Sequence, residues 1–176
     1  VSGNVFNDNG NGADSDPDAD MFEVTEVNGN SGNVGTEIML ASGALLTLNS
    51  DGSFNYNPNG QFESLAVGEQ DTDSFTYQIT DENGERSIIP ATVTITINGV
   101  NDPPVVDTLI TDQMSNDADS INLDVSGNFL DPDTSDTLMF SAMGLPGGLS
   151  IDANGLITGT IDSAASQMSP YNVTVT

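Results

Sequence analysis

Apolar and polar residues alternate with a period of two along much of this chain. In SFTYQIT (residues 74–80), Phe75, Tyr77 and Ile79 fall on one side, and Ser74, Thr76, Gln78 and Thr80 on the other. That is the pattern of a strand with one face against a core. ATVTITI (91–97) repeats it, with Val93, Ile95 and Ile97 inward and threonines outward. LLTLNSDGSFNYN (45–57) predicts a hairpin: Leu46 and Leu48 lie on one arm, Phe54 and Tyr56 on the other, and Asp51-Gly52 in the turn. Further along, SINLDVS, DTLMFSA and YNVTVT predict strands, and LSIDANGLITG predicts a hairpin turning at Asn154-Gly155. No stretch repeats at the helical period. Short strands separated by Gly, Asn and Asp turns describe an all-β sandwich architecture.

The strands fall into two sets, divided at Val100-Asn101-Asp102-Pro103-Pro104. Two prolines remove two backbone donors and fix φ, so a sheet cannot run through them. The expected domains are 1–100 and 101–176. The chain opens directly on strand-like VSGNVF and closes within a strand, so both outer ends read as cut from a longer tandem array.

Charge sharpens this picture. There are 27 acidic residues, 20 Asp and 7 Glu, against a single basic one, Arg86, for a net charge of −26. Such a chain is repelled by nucleic acids and anionic lipid, which excludes both as partners. No apolar run is long enough to span a bilayer. The excess of Asp over Glu favours loops, where short carboxylates converge, over solvated helical faces. There is no Cys, His, Trp or Lys. Disulfides, isopeptide crosslinks and catalysis by thiol, imidazole or amine are therefore impossible, and metal is the remaining staple for small exported domains. Only carboxylate chemistry of the glycosidase kind would remain for an enzyme, and no such pair is evident, so the chain reads as non-catalytic.

The segments VSGNVFND, GQFESLAVGEQDTDSFTYQITDENGE and ATVTITINGVNDPPV closely resemble the cadherin-like repeats of large bacterial surface and secreted proteins. SGNFLDPDTSDTLMFSAMGLPGGLSIDANGLITGTI resembles the dystroglycan-type cadherin-like, or immunoglobulin-like, module. The resemblance implies two tandem Greek-key immunoglobulin/cadherin-like β-sandwiches, an extracellular or cell-surface location, calcium at the domain ends, and roles in adhesion or carbohydrate association. Its implied partners are neighbouring repeats of the same chain, polysaccharide, or like domains on other cells.

The carboxylates point to calcium on their own chemistry. Ca²⁺ takes six to eight oxygens and tolerates irregular geometry. GADSDPDADMF (12–22) places Asp14, Asp16, Asp18 and Asp20 at alternate positions, where an extended loop can curl them around one ion. Left unpaired, carboxylates ~4 Å apart repel by about 1 kcal/mol per pair even in water, and one Arg cannot offset them. The loop is not an EF-hand, because the sixth position from Asp14 is Ala19 and the twelfth is Thr25. On the cadherin-like topology, TDENGE (80–85) lies at the same end, and Asp81 completes that site. At the other end Glu69, with Asp71 or Asp73, lies near the joint, where Asn101 and Asp102 meet Asp131 and Asp133 of LDPDTSD. Asp51 and Asp152 read as turn residues, and Asp107, Asp112, Asp117, Asp119 and Asp124 as surface charge.

Two functions are thus expected. The first is a calcium-rigidified adhesion or extender module of a large surface or secreted protein. The alternative is a calcium-dependent polysaccharide-binding accessory module of a secreted enzyme, for which Phe62 and Tyr171 are the candidate sugar platforms.

Overall fold

The computed structural model describes residues 1–7 and 12–176; Asp8, which ends the VSGNVFND motif, lies outside them. The chain divides into two compact units, Val1–Val100 and Asn101–Thr176.

Among its described residues the first unit has seven strands in two sheets. β1 (Ser2–Asn4), β3 (Ile38–Met39), β4 (Leu45–Leu48) and β5 (Ser53–Asn57) form one, in the order β1-β5-β4-β3. β2 (Phe22–Val27), β6 (Gln70–Asp81) and β7 (Ala91–Asn98) form the other, in the order β2-β6-β7. The 45–57 hairpin forms in the register its alternation requires, with Leu46 opposite Tyr56 and Leu48 opposite Phe54. Its turn rests on Asp51, whose Oδ1 accepts from the Ser53 amide at 2.9 Å and the Ser53 hydroxyl at 2.6 Å.

The core lies between these sheets. It gathers Val24 and Val27 of β2, Leu46 and Leu48 of β4, Tyr56 of β5, and Phe75 and Tyr77 of β6, all buried. β2 departs from strict alternation. A bulge between Val24 and Glu26 adds one residue, so Val27 returns to the core and Glu26 stays outside. There Glu26 pairs with Arg86. The chain's single basic side chain is thereby committed to a glutamate.

The second unit is built from shorter pieces. β9 (Ser120–Asp124), β12 (Leu149–Ile151) and β13 (Leu156–Thr160) form a sheet in the order β12-β13-β9. β8 (Val105–Val106) pairs with β10 (Phe129–Leu130), and β11 (Ala142–Met143) with β14 (Thr174–Val175). DTLMFSA departs from expectation. Only Ala142 of that segment lies in a strand; Ser141 before it exchanges two backbone hydrogen bonds with Thr176, and residues 136–140 join no ladder. Phe140 nevertheless turns inward and packs edge-on against Phe129, with ring centroids 5.5 Å apart. Buried apolar side chains are few: Val125, Ile157, Ile161 and Ala165. Such a core gives a small margin of stability.

The GLPGGL segment (144–149) contains a backbone position that only glycine fits. Gly148 has φ +88°, and a Cβ there would lie 2.0 Å from the Thr160 carbonyl oxygen. Gly148→Ala is expected to cost about 3 kcal/mol or more, by left-handed strain plus a clash with rigid backbone. Urea denaturation checks this, and a loss near that of an ordinary surface substitution would contradict it.

Candidate metal centre

Two of the acidic clusters sit where an antiparallel register runs past the end of its ladder. β2 and β6 pair with Phe22 opposite Asp81. Carried outward, the same register sets Met21 opposite Glu82, whose amide donates to the Met21 carbonyl at 3.0 Å. One step further it sets Asp20 opposite Asn83. The Asn83 amide nitrogen Nδ2 donates to Asp20 Oδ2 at 2.5 Å. The Asp14–Asp20 loop and the TDENGE turn thus meet at one end of the first unit.

Three of the four aspartates of the loop nevertheless turn to different donors. Asp14 Oδ2 accepts from the buried Tyr77 hydroxyl at 2.5 Å. Asp16 Oδ1 accepts from the Asp18 amide at 2.8 Å and the Asp20 amide at 3.4 Å, closing a turn in which Ala19 takes a left-handed φ of 62°. Asp18 is exposed. Asp81 Oδ1 accepts from the amides of Asn83 and Glu85, at 2.9 and 2.7 Å, and so organises its own turn. Among the described residues no three acidic side chains stand close enough to hold an ion as placed. Asn83 was not evident among the acidic residues, although Asp-x-Asn-Gly spacing and the strand register both mark it.

At the start of β6, alternation carries the core-facing side outward from Tyr77 and Phe75 to Asp73 and Asp71. Asp73 is buried and fully satisfied by the protein. Its Oδ2 accepts from the Ser42 hydroxyl at 2.6 Å and the Tyr56 hydroxyl at 3.0 Å, and its Oδ1 from the Ser74 amide at 2.8 Å. Asp71 is exposed and accepts from the Thr72 amide. Glu69 Oε2 caps a turn through the Ala66 amide at 3.0 Å, and its carbonyl takes the Gly99 amide.

Burial first, and then the carboxylate at each hydroxyl, raises the pKa of Tyr56 and Tyr77 far above the ordinary tyrosine value. The fold favours the neutral phenols, so their contribution is complete below about pH 10 and is lost as pH rises through the raised values. In a Tyr171→Phe background, tyrosinate absorbance is expected to stay low until the chain unfolds at alkaline pH. Phenolate appearing at the ordinary tyrosine pH in a folded chain would contradict this.

In the second unit β8 and β10 pair with Val105 opposite Leu130. Three residues beyond the ladder, the same register sets Asp102 opposite Asp133, and the Asp102 amide donates to Asp133 Oδ2 at 2.8 Å. Asp131 Oδ1 accepts from the Asp133 amide at 3.0 Å, a local turn that aims the Asp133 side chain inward. Asp133 is 1% exposed, and its Oδ1 is the one buried side-chain oxygen or nitrogen without a hydrogen-bond partner among the described residues. Asp102, Asp131 and Asp133 are thus linked to one another by backbone-to-carboxylate hydrogen bonds. The Asn101 side chain instead donates to the Asp102 carbonyl at 2.9 Å.

The remaining aspartates do local work. Asp152 Oδ1 accepts from the amides of Asn154 and Leu156 and sets the β12–β13 hairpin. Asp124 holds Ser126 by both amide and hydroxyl, which keeps its carboxyl below the usual range. Asp117 binds Ser166 in the same two ways. Asp117 and Asp124 are thus structural acceptors rather than merely surface charge. Phe62 packs against the core and Tyr171 is half-buried, its hydroxyl donating to the Ala165 carbonyl. Neither is an open sugar platform, and none of the other aromatic side chains is exposed.

Two successive all-β sandwiches, with acidic residues concentrated in loops beyond their ladders, define a modular tandem protein. A family model for the bacterial cadherin-like domain matches residues 1–99, and the chain belongs to that family. An Ig domain model matches residues 103–176, so an Ig-like module follows the cadherin-like one. Modules of these families are typically extracellular or surface-borne and non-catalytic. A search of curated proteins found no match.

Proposed function

We propose that the chain is a calcium-binding adhesion or extender segment, with an ion held at Asp133 by that residue, Asp131 and Asp102. The observation that carries this reading is the Asp133 carboxylate, 1% exposed with Oδ1 unpartnered. A buried charge of this kind costs several kcal/mol unless something neutralises it. No protein cation serves, since Arg86 belongs to the other unit and is paired with Glu26. The donors present are all oxygen and mostly anionic, which suits a hard divalent cation of flexible coordination. When bound, the ion supplies positive charge and completes the coordination that the peptide lacks.

The chain's own groups do the rest. Asp131 fixes the turn, and the Asp102 amide orients Asp133. In sequence, Asp102 follows the last strand of the first unit and precedes Pro103-Pro104. An ion that takes Asp102 therefore immobilises the connecting segment, the property an extender needs. The Asp14–Asp20 loop with Asp81 is the candidate for a second site; there the ion must draw Asp14 from Tyr77 and Asp20 from Asn83, so its affinity is expected to be weaker.

Calcium titration by calorimetry, paired with solution scattering in calcium and in chelator, tests this. Binding at about 10⁻⁴–10⁻³ M or tighter is expected, with a narrower distribution of molecular dimensions in calcium. No heat of binding and an unchanged scattering profile would refute it.

A further inference from the structure

Every methionine in the chain lies on the surface. There are six, and their exposures are 75% for Met21, 70% for Met39, 98% for Met114, 74% for Met139, 76% for Met143 and 74% for Met168. This runs against ordinary usage, because methionine is among the side chains most often buried and is a common filler of irregular cores. Here the buried apolar set is Val, Leu, Ile, Ala, Phe and Tyr throughout.

The placement is systematic. Met39 lies on β3, the edge strand of its sheet, between half-buried Ile38 and buried Leu40. Met143 lies on β11 opposite Thr174, facing out while its neighbour Ala142 is half-buried. Met168 closes the short 3-10 turn Ala165–Met168, whose buried residue is Ala165. In β3 and β11 the position next to the methionine faces inward, and in the 3-10 turn Ala165 does; each is filled by another residue.

The rest of the composition gives this weight. With no Cys, His or Trp, the thioethers are the side chains most easily oxidised by two-electron oxidants. The tyrosines are shielded or half-buried. We propose that the six methionines are acceptor sites for oxygen atoms from peroxide-class oxidants, and that both units keep their fold when all six are converted.

In the reaction, a lone pair on Sδ attacks one peroxide oxygen, the S–O bond forms and the O–O bond breaks. The departing oxygen leaves as water after proton transfer. The thioether is oxidised by two electrons to the sulfoxide, and the peroxide is reduced. A sulfoxide is polar, and inside a core it would disrupt packing. At a position already facing water it adds an acceptor that the solvent satisfies, so folding is left nearly unchanged.

The experiment treats the chain with hydrogen peroxide and follows intact mass and thermal unfolding on the same samples. Six oxygen additions are expected, at rates near that of free methionine, with the unfolding midpoint moved by no more than about 2 °C. A Leu46→Met variant supplies the buried comparison, since Leu46 is fully buried and Leu-to-Met exchange is well tolerated. Its seventh thioether is expected to react slowly and to lower the midpoint when it does. Fewer than six additions to the folded chain, or a clear loss of stability on reaching six, would overturn the proposal. So would a seventh thioether reacting as fast as the others in the folded variant.

Discussion

In chelator, the second unit of Asp133→Asn is expected to unfold at the same temperature as that of the unsubstituted chain or higher, and in calcium that unit is expected to gain nothing. The two halves come from one observation, a carboxylate at 1% exposure with one oxygen unpartnered. Without an ion that oxygen is a buried charge with no counter-charge, and replacing the carboxylate by an amide of the same shape removes most of the penalty. The acceptor for the Asp102 amide is kept. With about 10 mM calcium and an affinity of 10⁻⁴–10⁻³ M, the unsubstituted chain gains about 1.4–2.7 kcal/mol by mass action. For a module of this size that raises its midpoint by roughly 5–20 °C. Calorimetric unfolding of both chains, with calcium and with chelator, decides the matter. Equal gains in both chains would place the ion elsewhere; a loss in chelator as large as in calcium would make Asp133 a purely structural acceptor.

Asp73 is expected to behave in the opposite way. Its carboxylate joins the hydroxyls of Ser42 and Tyr56 to the Ser74 amide, and Tyr56 is buried at the centre of the first unit's core. Asp73→Ala leaves two hydroxyls and an amide without their acceptor, each at a cost of about 1–3 kcal/mol. It also removes volume beneath the Tyr56 hydroxyl. A loss of about 3–5 kcal/mol is expected, the range for breaking a buried polar network, and it should be the same with calcium and with chelator. Tyr56→Phe should lose less, because Ser42 and Ser74 still satisfy the carboxylate. Urea denaturation of both variants measures this. A loss confined to calcium-containing buffer would return Asp73 to the metal ligands, where its position among Glu69, Asp71 and Asp73 first suggested it belonged.

The contrast between Asp73 and Asp133 shows how far one-dimensional pattern carries. Both stand in runs of alternating acidic residues, Glu69-Asp71-Asp73 and Asp131-Asp133. Pattern groups them alike, since spacing records which carboxylates can share a face and not which donors face them from elsewhere. Ser42 lies 31 positions from Asp73, in a segment with no chemical signature. Tyr77 reaches Asp14 across 63 positions, and Asn83 reaches Asp20 across the same separation. Such partners are chosen by sheet order and register. The register could have been extended on paper, because Phe22 opposite Asp81 entails Asp20 opposite Asn83, and Val105 opposite Leu130 entails Asp102 opposite Asp133. It first requires knowing which strands pair.

What the sequence alone determined is the all-β class, the core-facing sides of β4 to β7, the 45–57 turn and the surplus of anionic oxygen without protein cations. Each follows from a local cause: a side-chain period of two, a turn residue with a donor two positions away, or a count of charges. The tertiary structure decided the rest. It left Ala142 the one residue of DTLMFSA in a strand, turned the Asp14, Asp16 and Asp20 side chains to separate donors, and buried Asp133 with an oxygen left over. Burial and hydrogen bonding are properties of surroundings, and the surroundings of these carboxylates come from segments distant in the chain.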